Sequence, residues 1–251
     1  MDFQSVRKKY TLYTRCAGIF AIVLILCVPL VASEFTMQMG SLLVIIAGLV
    51  LIIYLINKWY LTTVEKLLHV DSDLASWKQY IKMNKEGKRA VLLLVAATSE
   101  VALAYMTGDF ETAIRKAEEI LNRDGLQPQF RNVLQSYRIR SVVLSQPELS
   151  REELDAMIGE LTITDPTMAE KTQKISVALY DLTIANESND YFETLTNDYK
   201  YPQLEIIYYK ALNAAIKGDT ERATELLSQL DGEDERLYVV RMGKQLLQSI
   251  I

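Results

Sequence analysis

GDFETAIRKAEEIL, at positions 108–121, and GDTERATELLSQL, at positions 218–230, open alike, and they decide how most of this chain is read. In each phrase the glycine tolerates a tight connection and the aspartate can cap the helix that follows. Four residues beyond each aspartate stands an alanine, Ala113 or Ala223, small enough to let two helix backbones approach. Each phrase is preceded by an apolar stretch that also ends in small residues, Ala104 in one and Ala214 with Ala215 in the other. Both copies therefore predict the same thing: an apolar helix, a sharp bend, and a second helix packed back on the first.

Working outward, the whole chain beyond position 87 follows this rhythm. Apolar residues at helical spacing predict long helices at 88–107, 128–145, 166–185 and 202–217. Each is followed by a shorter one, at 110–123, 150–161, 189–197 and 220–230, and a last helix covers 234–249. Three long helices open on a proline at or near the first turn, Pro128, Pro166 and Pro202, where the missing N–H is harmless. β-branched and aromatic residues fall at helical rather than alternating spacing, so no strand is expected. The long helices start 36–40 residues apart, at 88, 128, 166 and 202, and a repeat of helix pairs at such a period predicts an α-solenoid whose stacked pairs bury a continuous core.

The phrases at 104–121 and 214–230 resemble the turn and second helix of a tetratricopeptide repeat. Gly108, Asp109, Phe110 and Ala113 match that family's turn. Gly218, Asp219 and Ala223 match with Thr220 in place of the aromatic. The departures are Glu100 where the family prefers an apolar residue, Gly125 and Gly232 where it closes with proline, middle pairs without Gly-Asp, and a period longer than the family's 34 residues. The resemblance implies a protein- or peptide-binding array with its long helices on a concave side, and it would put Thr98, Tyr105 and Tyr208 on that side. Arg131, Gln135 and Arg138 form a polar line at helical spacing, able to accept a peptide carboxylate or acidic side chains. That these tyrosines pack between pairs and the arginines meet neighbouring acids stays open.

The N-terminal part is of another kind. Two apolar runs, 16–32 and 39–57, contain no charge, and at about 1.5 Å per residue each approaches the roughly 30 Å of a bilayer core. They predict a transmembrane hairpin with a short outside loop at 33–38, preceded by a basic tail at 1–15 and followed by a helical linker at 61–87, in which Asp71 or Ser72 is the expected N-cap. Arg7, Lys8, Lys9 and Arg15 precede the first run, Lys58 and Lys66 follow the second, and no Lys or Arg lies between, so both termini are expected in the cytoplasm. Tyr10, Tyr13, Trp59 and Tyr60 suit the headgroup level. A cleavable signal sequence ending near Val31–Ala32–Ser33 is the competing reading of the first run. Ala17-xxx-Ala21 and Gly40-xxx-Val44-xxx-Gly48 offer faces for close approach of other spans. Cys16 and Cys27, the only cysteines, both belong to the first run and are too far apart on one helix to bridge.

Of 27 basic and 32 acidic residues, four and two lie before Lys58, leaving 23 and 30 in the remainder. So acidic a region is unsuited to nucleic-acid phosphate, and no nucleic-acid partner is expected. His69 is the only histidine, no phosphate loop or nucleophile elbow is present, and the paired acids Glu118–Glu119, Glu152–Glu153 and the run 231–235 read as solvated faces. No catalytic residue, metal or cofactor is expected. The sequence thus predicts an all-α protein: a transmembrane hairpin, a tetratricopeptide-like solenoid of about four pairs over 88–251, and a C-terminal capping helix. The expected role is a non-enzymatic scaffold in a bacterial plasma membrane that holds a protein or peptide partner. The alternative is an accessory subunit of a larger membrane complex, assembled through its spans as a homo- or hetero-oligomer.

Overall fold

The structure is a computed structural model that describes residues 3–31, 35–70, 73–87 and 89–250. All of its described elements are helical, and the chain divides into two compact units, Met1–Gln79 and Tyr80–Ile251. The expected cap at Asp71 or Ser72, part of the loop at 33–38, and Lys88 at the start of the first long helix lie outside the described residues.

In the first unit α1 (Phe3–Val31) and α2 (Phe35–Glu65) pack against each other along their length. Both are longer than the apolar runs that predicted them. The contact is built at one end from the Tyr10 hydroxyl, which donates to Asn57 Oδ1 at 2.8 Å, and from the ring pairs Tyr10–Tyr60 (4.4 Å) and Tyr13–Trp59 (5.5 Å). Further along α1, Ala17, Ala21 and Val28 are buried, so the small-residue face Ala17-xxx-Ala21 is used. The Gly40–Val44–Gly48 face of α2 is open: Val44 is 73% exposed, and nothing lies within 4 Å of where a Cβ would stand on either glycine. Almost every exposed large apolar side chain among the described residues belongs to α1 or α2, the exceptions being Val70, Val91, Leu93 and Tyr199. Such a surface is matched by hydrocarbon rather than by water. A π-type turn, Lys66–Val70, follows α2, and α3 spans Leu74–Lys85. Asp73 caps α3, accepting from the Ala75 and Ser76 N–H groups, and Trp77 Nε1 donates to the Leu68 carbonyl at 2.7 Å.

The second unit holds α4 (Ala90–Thr107), α5 (Phe110–Leu121), α6 (Pro128–Ser145), α7 (Arg151–Gly159), α8 (Pro166–Tyr180), α9 (Lys200–Ile216), α10 (Thr220–Ser228) and α11 (Tyr238–Ile250). The two Gly-Asp bends are near-copies. Gly108 and Gly218 adopt φ of 82° and 80°, the left-handed region glycine enters without penalty. The Asp109 and Asp219 N–H groups return to the Ala104 and Ala214 carbonyls, both at 2.9 Å. Their carboxylates cap Thr112 N and Arg222 N, and Ala113 and Ala223 are wholly buried. Ser150 and Glu153 close a reciprocal capping box at the start of α7, and Asp165 caps α8.

Three helices, α1, α2 and α4, are long and apolar enough to cross a membrane. The third is a core helix of its own unit. Ala96, Val101, Ala102, Ala104, Tyr105 and Met106 are buried, and Glu100 is held by Lys116 of α5 at 2.8 Å and Lys85 at 2.5 Å. Burial raises the Glu100 carboxyl, but the two lysines more than offset this and keep it below its ordinary value.

Two expectations change. The helix expected at 189–197 is a short 3-10 turn, Asp190–Thr194, because only Phe192 of that segment is buried, and Asn189 and Asp190 are tied by side-chain hydrogen bonds to Asn213. The stacking also differs: in a linear array each pair touches only its neighbours, whereas here the first pair also meets the C-terminal helix. Arg241 of α11 donates to the Thr107 carbonyl at 3.2 Å, and Phe110 packs on Tyr238 at 4.8 Å between ring centres.

Candidate functional site

The residues singled out in the sequence separate into two places. The first is the interior of the second unit, where α4, α6 and α9 meet. Tyr105, from α4, is 1% exposed, and its hydroxyl donates to Glu205 Oε1 of α9 at 2.5 Å. Arg140, from α6, forms an ion pair with the same carboxylate and lies 4.7 Å above the Tyr105 ring. Tyr137 and Tyr201 stand 5.2 and 6.3 Å from that ring, and Tyr209 stacks on Phe192 at 4.7 Å. Tyr208 is 5% exposed and packs on Tyr209. Half-buried Thr98 has a hydroxyl with no hydrogen-bond partner among the described residues. Two expected concave-side residues, Tyr105 and Tyr208, are therefore interior groups.

The chemistry of this interior is that of a desolvated ion pair. Burial alone would lower the Arg140 pKa, but Glu205 reverses this, and the guanidinium is held above its ordinary value. Burial holds the Tyr105, Tyr201 and Tyr209 hydroxyls well above the usual phenol range. The linkage then has a definite sign. A folded pKa above the unfolded one leaves the tyrosine contribution intact below about pH 10, and it is lost as pH rises further. Each of these tyrosines is expected to remove roughly 1.4 kcal/mol of stability per pH unit above that point. Thermal midpoints between pH 8 and 11, with absorbance titration of the phenols, test this. A constant midpoint with all fourteen tyrosines ionising together would refute it.

The second place is open to solvent. α5, α6 and the end of α7 enclose a groove of about 280 Å³. Leu121, Met157 and Leu161 give it an apolar lining, and Glu118, Gln135, Arg138 and Glu160 give it polar walls. Arg138 Nε donates to Glu118 Oε1 at 2.9 Å, and both groups are partly exposed. The Gln135 side chain donates to Thr162 Oγ1 at 2.8 Å and accepts from Thr162 N at 3.2 Å. Two residues of the polar line thus share one groove, each already engaged by a neighbour. Half-buried Arg131, from the same helix, does not line it, and forms no ion pair among the described residues. The groove can offer a cation, two carboxylates and two amides, Gln135 and Asn122, around an apolar strip.

Arg140 and Glu205 escaped the sequence reading, although both carry a signal. Each is a lone charge in an otherwise apolar stretch, IRSVVL and LEIIYY. Opposite lone charges on apolar helices call for each other, because neither can be buried alone. His69 faces the Trp77 ring edge-on at 5.3 Å, and among the described residues no group of three or more His, Cys, Asp or Glu is placed to hold a metal.

Compared with family profiles, with curated proteins and with solved structures, the chain matches none.

Proposed function

We propose that this protein is a non-enzymatic scaffold anchored in a bacterial plasma membrane by the α1–α2 hairpin, with both termini in the cytoplasm. Its second unit, a divergent tetratricopeptide-like array, holds a protein or peptide partner there. The observation that carries the reading is the groove of α5, α6 and α7, in which Gln135 and Arg138 stand over Leu121, Met157 and Leu161. The near-identical Gly-Asp bends at Gly108 and Gly218 support the array, and the apolar exterior of α1 and α2 supports the anchor. Anchoring raises the local concentration of the partner, so a shallow groove with modest affinity suffices.

Photocrosslinking from Gln135 in intact membranes tests the site, with Arg138→Glu as the variant. Recovery of a crosslinked protein is expected to fall at least tenfold in the variant, with an unchanged thermal midpoint. Equal recovery from both would remove the groove from consideration. Protease treatment of inverted and right-side-out vesicles tests the anchor: the second unit must be cut only in inverted ones.

A second reading, an accessory subunit assembled through its spans, is favoured by the open Gly40–Val44–Gly48 face of α2. Deleting residues 1–57 separates the two: a scaffold keeps its soluble partner, whereas a subunit loses its complex.

A further inference from the structure

Arg7, Lys8 and Arg15 of α1 precede its apolar run. The ion pairs observed lie between positions 85 and 244, and Arg7, Lys8 and Arg15 are in none of them. All three are exposed and, with Gln4, Thr11 and Leu12, they line one hollow of about 570 Å³. Positions 4, 7, 8, 11, 12 and 15 form one face of a helix, running about 16 Å along it at 1.5 Å per residue. Among the described residues the lining offers three cations, a hydroxyl and an amide, all polar donors, and no carboxylate.

Its depth in a bilayer is fixed by the same helix. At 29 residues α1 is about 43 Å long, well beyond the roughly 30 Å hydrocarbon core, so its polar first turns extend past the core. Tyr10 and Tyr13, paired with Tyr60 and Trp59 of α2, mark the headgroup level, and Arg7, Lys8 and Arg15 bracket them in sequence. A row of donors at that level faces lipid phosphates.

We infer that the Arg7–Lys8–Arg15 face of α1 binds the phosphate headgroup of an anionic phospholipid. The inference rests on the bilayer reading of the α1–α2 hairpin. It gives these cations a ligand in addition to their part in orienting the chain. The occupant is a lipid rather than a soluble phosphate because Leu12, 57% exposed, belongs to the same lining and continues into the exposed apolar surface of Ile19, Phe20 and Ile22. Acyl chains lie along such a surface, whereas free phosphate has no use for it.

The test uses the full chain in non-ionic detergent, where direction of insertion no longer enters. Phosphatidylglycerol and phosphatidylcholine with the same acyl chains are offered separately, and retained lipid is read by native mass spectrometry. A cation near an anionic surface is worth about fivefold in affinity, so at least a tenfold preference for phosphatidylglycerol is expected. The triple variant R7Q/K8Q/R15Q should reduce it to within about twofold, while R7K/R15K should keep it. Tenfold preference in the triple variant, or equal retention of the two lipids by the wild type, overturns the inference and leaves the bilayer reading standing. Retention of neither lipid overturns both. Inorganic phosphate offered alone tests the other source of the same chemistry, and retention matching phosphatidylglycerol would assign the face to a soluble anion instead.

Discussion

Glu205→Ala is expected to destabilise the second unit by about 3–5 kcal/mol, the usual consequence of removing one partner from a buried ion pair. Two groups lose their acceptor at once: the Arg140 guanidinium and the Tyr105 hydroxyl, both in the interior. An uncompensated cation remains where α4, α6 and α9 meet. For a unit of this size the thermal midpoint should fall on the order of 10 °C, read from the helical circular dichroism of the full chain in detergent. The double variant Arg140→Met/Glu205→Leu should recover much of the loss, because paired apolar replacements escape the desolvation penalty. Adding Tyr105→Phe should recover more, since it removes the hydroxyl left without an acceptor, a deficit of about 1–3 kcal/mol. A midpoint for Glu205→Ala within about 2 °C of wild type would show that α9 does not depend on this carboxylate.

The second large effect separates two glycines that look equivalent in sequence. Gly108→Ala and Gly218→Ala each place a side chain in the left-handed region, at φ of 82° and 80°, for about 1–2 kcal/mol. At Gly218 nothing lies within 4 Å of the added carbon, so this is the whole effect. At Gly108 the carbon would meet Tyr238 Cδ2 at 2.8 Å and an Arg241 terminal nitrogen at 2.9 Å. The arginine can swing away, but the Tyr238 ring packs on Phe110 and must move with its helix, adding about 1–3 kcal/mol of overpacking. Chemical denaturation of both variants should therefore rank Gly108→Ala well below Gly218→Ala. Equal losses would mean that α11 does not sit over the first bend.

That contrast also marks how far the sequence could be read. Local signals were sufficient wherever one helix ends and the next begins: Pro128 and the following apolar spacing gave α6 its observed bounds, and both Gly-Asp bends form as their residues require. What lay beyond reach was contact between distant elements. Nothing in GDFETA announces that Tyr238 will cover it, and nothing in IRSVVL names Glu205, because a pair separated by 65 positions leaves no periodic trace in one sequence. Where a segment had weak apolar periodicity, as at 189–197, side-chain hydrogen bonds from Asn189, Asp190 and Asn213 took the backbone out of the α-helical register. The candidate groove was half legible. Gln135 and Arg138 share helical spacing in the sequence, but the apolar residues beside them come from α5, α7 and the turn after α7, whose placement depends on packing.

The bond from Arg241 to the Thr107 carbonyl joins residues 134 positions apart, and that from Tyr105 to Glu205 joins residues 100 apart. During synthesis the first bend must therefore wait, uncovered, until the residues 134 positions further on have been added. A ribosome that stalls before α11 releases a chain whose Phe110 has no Tyr238 ring against it, the kind of exposed apolar surface that chaperones and proteases recognise. Premature termination before α11 is then expected to yield degradation rather than a shorter working protein, so the first bend depends on a helix made long after it.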